Sequence, residues 1–367
     1  MDQWYLLENE KEVLSPSLLL YPDRIEANLR HMVKIAGGPE RLRPHVKTHK
    51  LGEIVRMQLD LGISKFKCAT IAEAEMVAAA GAIDVLLAYQ PTGPNIARLL
   101  DLNRKYSRCR FSTITDDAGI VDELSDAFKG LDIQLPVYLD VDCGMHRSGI
   151  EPGSAAAAIY KRVVDSDGLE AAGLHVYDGH NNALNFDERK LQCDDEFSHI
   201  ANFQEQLEKE GLAVPNIVAG GTPTFPIHAK HVGRECSPGT TVLWDFGYER
   251  YSDLDFQVAA VLLTRVISKP GSDCLCLDLG HKAVAPDKPQ PRVKLYGLPD
   301  AVPQLHSEEH LTVETSFAEH YSVGDCCYAV PVHICPTVAL HDEVFVVRNG
   351  KVEERWAVEA RRRRISV

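Results

Sequence analysis

The sequence predicts an α/β chain: a (β/α)8 TIM-type barrel with a second, C-terminal all-β domain. Three observations predict it. Short apolar segments alternate with helically spaced ones from about residue 15 to residue 240, and the loops between them are short. Beyond residue 240, brief apolar runs are separated by Gly, Pro and Asp turns and no helix stands out. Apolar strands divided by helices form a parallel sheet buried on both faces, and seven or eight repeats favour closure into a barrel. The barrel is read as residues 15–240 and the β domain as 241–367 with 1–14.

In chain order, Pro16–Leu20 is a short apolar run, and a helix from Tyr21-Pro22-Asp23 runs towards Ile35 until Gly37-Gly38 stops it. Arg43-Pro44-His45-Val46-Lys47-Thr48-His49-Lys50 reads as a strand start, since Pro44 fixes its own φ and has no N–H. Helical spacing over 51–61 leads to a strand at 66–69. An alanine-rich helix at 72–80, a strand at 84–88, a helix at 96–103 and a strand at 110–114 follow. Asp116 is expected to cap a helix to about Phe128. Strands at 136–141, 169–176 and 217–219 alternate with helices at 154–164 and 187–210. The later strands fall at 256–267, 274–279, 293–296, 310–314, 326–330 and 344–347.

Composition narrows the partners. A net charge of −14 argues against nucleic acid or an anionic membrane, yet permits a small anion in a local basic pocket. The run Arg361–Arg364 reads as an exposed final turn. No apolar run approaches the ~18 residues a membrane span needs. Met1–Trp4 shows no export signal, so the ten scattered cysteines read as reduced thiols of a cytoplasmic protein.

Chemistry concentrates at strand ends. Lys47 reads either as part of a solvated basic turn or as a lysine with a depressed pKa, nucleophilic at neutral pH. Arg147 lies in Asp140–Gly149, where Gly144 and Gly149 allow a tight path. His175, Tyr177 and His180 cluster at another strand end. Gly220-Gly221-Thr222 and Ser237-Pro238-Gly239-Thr240 form cups suited to an anion. His333 and Cys335 lie at i and i+2, on one face if the segment is a strand. Imidazole and thiolate suit zinc and leave positions open for water and substrate, although a bare His-x-Cys also recurs by chance.

Together these residues resemble the fold-type III pyridoxal-phosphate enzymes, the alanine racemase group. The octapeptide at 43–50, Gly220–Thr224, His306–His310 and His333–Thr337 resemble its metal-activated branch of D-threonine aldolases and D-serine dehydratases. The resemblance implies that Lys47 forms the Schiff base with pyridoxal 5'-phosphate. It implies that Arg147 meets the cofactor's phenolic oxygen, that Tyr177 lines the site, and that Gly220, Gly221, Thr222, Gly239 and Thr240 hold the phosphate. His333 and Cys335 would bind a divalent ion, Zn2+ ahead of Mn2+ or Mg2+, and His180 would be the base at the substrate's β-hydroxyl. A homodimer is implied, with a small D-amino acid as substrate. The leading reaction is retro-aldol cleavage of D-threonine type; the alternative is dehydration of D-serine or 3-hydroxy-D-aspartate. Two departures stand out. Ser237 occupies the place of an arginine that meets the pyridine nitrogen in alanine racemases. Cys335 is the dehydratase-like choice where aldolases usually carry aspartate, while Tyr177-Asp178-Gly179-His180 is closer to the aldolases.

Overall fold

The computed structural model describes residues 3–367, so Met1 and Asp2, part of the N-terminal reading, lie outside the described residues. The first elements are β1 (Ser17–Leu20), α1 (Pro22–Ala36), α2 (Gly52–Asp60), β2 (Lys65–Cys68), α3 (Ile71–Ala79), β3 (Asp84–Leu87), α4 (Pro94–Lys105) and β4 (Arg110–Thr115). They are followed by α5 (Ala118–Phe128), β5 (Leu135–Val141), α6 (Ser154–Asp165), β6 (Leu169–Val176), α7 (Phe186–Lys209), β7 (Ile217–Ala219), α8 (Phe225–His228) and β8 (Arg234–Cys236). Then come β9 (Ala260–Gly271), β10 (Cys274–Leu277), β11 (Val293–Tyr296), β12 (Val302–His306), β13 (Leu311–Glu314), β14 (Cys326–Pro331), α9 (Ile334–Val338), β15 (Glu343–Arg348) and β16 (Lys351–Ala357). Two compact units result. Unit one holds residues 3–30, Thr48–Leu51 and Thr240–Arg361; unit two holds His31–Lys47, Gly52–Gly239 and Arg362–Val367.

Unit two contains a seven-stranded parallel sheet in the order β2 to β8. Successive side chains of a strand point to opposite faces, and both faces here are apolar. Leu86, Ile114, Tyr138, Ala172 and Val218 form one buried cluster. Leu139, Val141, Leu174 and Val176 face the other way, against Tyr160 of α6 and Phe197, Ile200 and Phe203 of α7. The expected eight-stranded closed barrel is not what forms. The basic octapeptide makes no strand: Leu42 and His45 form single parallel bridges to Cys236 and Lys67, and Val46–Thr48 is a 3-10 turn. Pro44 is the reason, since it has no N–H for a ladder and offers only its carbonyl, to Lys67 N at 2.9 Å. The segment is held from both sides all the same. Arg43 N donates to Cys236 O and His45 N to Pro238 O, while the buried Arg43 guanidinium pairs with Asp84 at 2.6 Å and Glu235 at 2.7 Å. Asp117, not Asp116, caps α5, accepting Ile120 N–H at 3.0 Å.

Unit one is built on a nine-stranded sheet with the path β12-β13-β10-β9-β1-β15-β16, in which β14 pairs with both β9 and β11. The apolar Ser17–Leu20 run is in this sheet, antiparallel to β9 and parallel to β15. Contrary to expectation, the unit contains a short helix, α9. Strand β14 ends at Pro331 and His333 is the N-cap of α9, so His333 and Cys335 do not share a strand face. Pro336 lies in the first helical turn, where its missing N–H costs nothing. Among the described residues, no helix is long and apolar enough to cross a membrane.

Candidate active site and metal pair

In unit two, three cationic side chains surround one aromatic ring. The Tyr177 ring centre is 4.6 Å from the Arg147 guanidinium carbon, 5.6 Å from Lys47 Nζ and 5.8 Å from Lys67 Nζ. The structure thus brings Lys47, Arg147 and Tyr177 together with Lys67. Lys67 lies in the middle of β2 and is 2% exposed. A lysine between Phe66 and Cys68 in a strand of a doubly buried sheet was the available signal, since such a residue is almost never buried without a role or a partner.

Lys67 begins a buried polar chain. Its Nζ lies 3.5 Å from His175 Nε2, and His175 Nδ1 lies 2.7 Å from Asp140 Oδ1. Asp140 Oδ2 accepts Ser148 Oγ–H at 3.0 Å. A carboxylate on Nδ1 places the imidazole proton there and leaves the Nε2 lone pair to face the lysine. Burial, and then the charge of Lys47, depress the Lys67 pKa to about 7. Burial also lowers His175, keeping the ring neutral. Burial pushes Asp140 up, but the hydrogen bonds from His175 and Ser148 and the neighbouring positive charge together outweigh it, and the carboxyl remains below its usual range.

The glycine loop rests on a second network. Gly220 has φ 72°, and a Cβ there would meet His228 at 2.4 Å, so only glycine fits. Gly220 N donates to Val176 O, and Gly221 N to Thr224 Oγ1 at 3.3 Å. Those two glycines therefore shape the cup rather than offer their amides. Thr224 Oγ1 donates in turn to Asp178 Oδ1 at 2.8 Å, and His228 Nε2 to Asp178 Oδ2 at 2.8 Å. Asp178, Cys193 and His228 are close enough to share a cation. Their hydrogen bonds favour another use. Arg234 Nη1 donates to His228 Nδ1 at 3.2 Å, which leaves the ring proton on Nε2 for Asp178, and burial keeps the Cys193 thiol protonated. These residues form the floor of the loop.

At the second cup, Gly239 N donates to Thr222 Oγ1 at 3.1 Å. Ser237 Oγ is buried without a hydrogen-bond partner. His180 gives Nε2–H to Glu196 at 2.8 Å, leaving Nδ1 buried, unpartnered and carrying the lone pair. Burial raises Glu196 above the ordinary glutamate range.

In unit one, His333 Nδ1 lies 2.7 Å from Asp287 Oδ2, and Cys335 Sγ lies 3.2 Å from Thr48 Oγ1 and 3.5 Å from Thr240 Oγ1. The buried Asp245 accepts Ile334 N–H at 2.9 Å and Tyr248 N–H at 3.0 Å, fixing the start of α9. Burial works against charge on His333, yet Cys335 and Asp287 raise it to about 9. Burial likewise opposes a thiolate at Cys335, yet His333, Thr48 and Thr240 together lower its pKa. With its second proton displaced by the ion, the His333 imidazole and the Cys335 thiolate are a fitting donor set for a divalent metal. The orphaned Ser237 hydroxyl and the glycine-shaped cup fit a planar phosphorylated cofactor.

The family comparisons agree with this architecture. The family "Alanine racemase, N-terminal domain" matches residues 21–244, and "Putative serine dehydratase domain" matches residues 259–347. The chain is 31% identical to a D-threonine aldolase of Arthrobacter sp. over 354 residues, 95% of this chain and 92% of that one. It is 31% identical to a 3-hydroxy-D-aspartate aldolase of Paracoccus denitrificans over 366 residues, 96% of this chain and 93% of that one. The crystal structure of D-threonine aldolase from Filomicrobium marinum superposes with a TM-score of 0.89 at 29% identity, covering 96% of each chain. The chain belongs to the fold-type III pyridoxal-phosphate family, with an alanine racemase N-terminal domain and a D-serine dehydratase-like second domain.

Proposed function

We propose that this chain is a pyridoxal-phosphate- and divalent-metal-dependent lyase of β-hydroxy-D-amino acids, with retro-aldol cleavage of D-threonine type as its leading reaction. The observation that carries the proposal is full-length similarity above 30% to two aldolases, joined to Lys47, Arg147 and Tyr177 converging in unit two. Lys47 is the proposed covalent anchor of the cofactor. Arg147 would hold the cofactor's ring oxygen beside Tyr177. Thr222, Gly239 and Thr240 would hold its phosphate in the cup that Gly220 and Gly221 shape, and Ser237 would give its unpartnered hydroxyl to the pyridine nitrogen. When bound, pyridoxal phosphate supplies an electron sink for charge developing at Cα, and the divalent ion a Lewis acid for the β-hydroxyl.

His333 and Cys335 are the proposed ligands, with zinc favoured by the sulfur donor. His180 would take the β-hydroxyl proton at Nδ1, the nitrogen that its bond to Glu196 leaves with a lone pair, and the Glu196 carboxylate would balance the imidazolium formed. The barrel-like domain is proposed within residues 15–240, apart from β1, which pairs into the other sheet, and the proposed working form is a cytoplasmic homodimer. Dehydration is the second reading, supported by Cys335 and by the 24% identity to a D-threo-3-hydroxyaspartate dehydratase of Delftia sp.. Product analysis separates the two. The proposal expects D-threonine to give glycine and acetaldehyde; an oxo acid with ammonia, and no glycine, would replace cleavage with dehydration.

A further inference from the structure

We infer that Asp287 is a positioning residue for the metal pair: it fixes the His333 ring so that Nε2, and not Nδ1, is the nitrogen offered to the ion. The inference rests on the metal reading of His333 and Cys335 proposed above. Neither the sequence motifs nor the resemblance drew attention to Asp287, which lies 46 residues before the histidine, in the loop between β10 and β11.

The geometry gives it one task. Asp287 Oδ2 lies 2.7 Å from His333 Nδ1, a charge-assisted distance. A carboxylate only accepts, so the ring proton is held on Nδ1 and the lone pair is left at Nε2. The other anchors hold different parts of the pair. Asp245 holds the backbone N–H of Ile334, and the Thr48 and Thr240 hydroxyls lie against the Cys335 sulfur. Among the described residues, it is the hydrogen bond to Asp287 that governs the imidazole's tautomer and rotation. A histidine ligand whose second nitrogen is held by a carboxylate is both more basic and better aimed, and loss of such a partner costs about 10- to 100-fold in metal affinity.

The test is zinc affinity, measured by chelator competition on full-length protein loaded with pyridoxal phosphate. Wild type, Asp287→Ala, Asp287→Asn and His333→Ala are compared, with circular dichroism confirming the fold of each. The inference expects one ion per chain in wild type and in both Asp287 variants. Affinity should be about 10- to 100-fold weaker in Asp287→Ala, partly restored in Asp287→Asn, and lost in His333→Ala. With cobalt as the probe, the sulfur-to-metal charge-transfer band should persist in Asp287→Ala, because the thiolate ligand is untouched. Equal zinc affinity in wild type and Asp287→Ala overturns the inference while leaving the metal reading intact. Absence of zinc binding by wild type overturns the metal reading, and the inference with it.

Discussion

Replacing Lys67 with methionine should stabilise the chain at neutral and acidic pH, and do so less as the pH rises. The amine is buried in the interior of unit two. The groups facing it are His175 from β6, Asp140 from β5, Arg147 and Asp178 from the loops after those strands, and Lys47 from the 3-10 turn. Burial depresses its pKa from 10.5 to about 7. The unfolded chain keeps this proton up to about 10.5, the folded chain only up to about 7. Between those values the unfolded state binds more protons, so wild-type stability rises with pH through that window, and the cost of burying Lys67 is fully present below it.

Each tenfold change in proton affinity is about 1.4 kcal/mol, which bounds the cost at about 5 kcal/mol. A protein interior that responds like a medium of dielectric about 20 brings the expected gain to about 2–3 kcal/mol near pH 6. Against this, His175 Nε2 loses its neighbour, worth about 1 kcal/mol. Urea unfolding of cofactor-free wild type and Lys67→Met, at about pH 6.5 and about pH 9.5, measures the difference. The variant should be the more stable at the lower pH, with most of the gap closed at the higher. A gap independent of pH, or a variant less stable at both, would refute the depressed amine.

Three further outcomes are expected. Lys47→Ala should abolish the borohydride-reducible adduct with pyridoxal phosphate, read by mass spectrometry, while Lys50→Ala keeps it; the reverse pattern moves the anchor to Lys50. Arg43→Leu leaves Asp84 and Glu235 without their shared buried cation and should cost about 3–5 kcal/mol in urea unfolding; a loss below about 1 kcal/mol would show that Arg43 does not clamp the Lys47 segment. Asp178→Asn weakens the acceptor for Thr224 and His228 beneath the glycine loop and should raise the dissociation constant for pyridoxal phosphate about 10-fold, equivalent to about 1.4 kcal/mol. Fluorescence titration checks it, and unchanged affinity would detach this network from the phosphate cup.

Much of the fold was legible because period and punctuation are local. Alternating faces of β5, β6 and β7 reveal a doubly buried sheet, and Gly37-Gly38 ends α1 without reference to anything distant. The octapeptide was misread as a strand because ladder pairing depends on partners nearly 200 residues away, at Cys236 and Pro238, and on what Pro44 withholds from them. His333 and Cys335 were identified by donor chemistry, yet their geometry was misjudged: Pro336 permits a helix turn as readily as a strand exit, and Asp245, distant in sequence, decides for the helix. The roles of Lys67, Asp178 and Asp287 are not legible in the sequence for one reason. Each acts through a long-range hydrogen bond, to His175, His228 and His333, and such bonds leave no spacing in the sequence.

Products formed from D-threonine in a single sample, before chelation, after it and after adding zinc back, test the account most directly. Glycine and acetaldehyde should appear in equal amounts, stop on chelation and resume with zinc. An oxo acid and ammonia in their place, or cleavage indifferent to chelation, would contradict it.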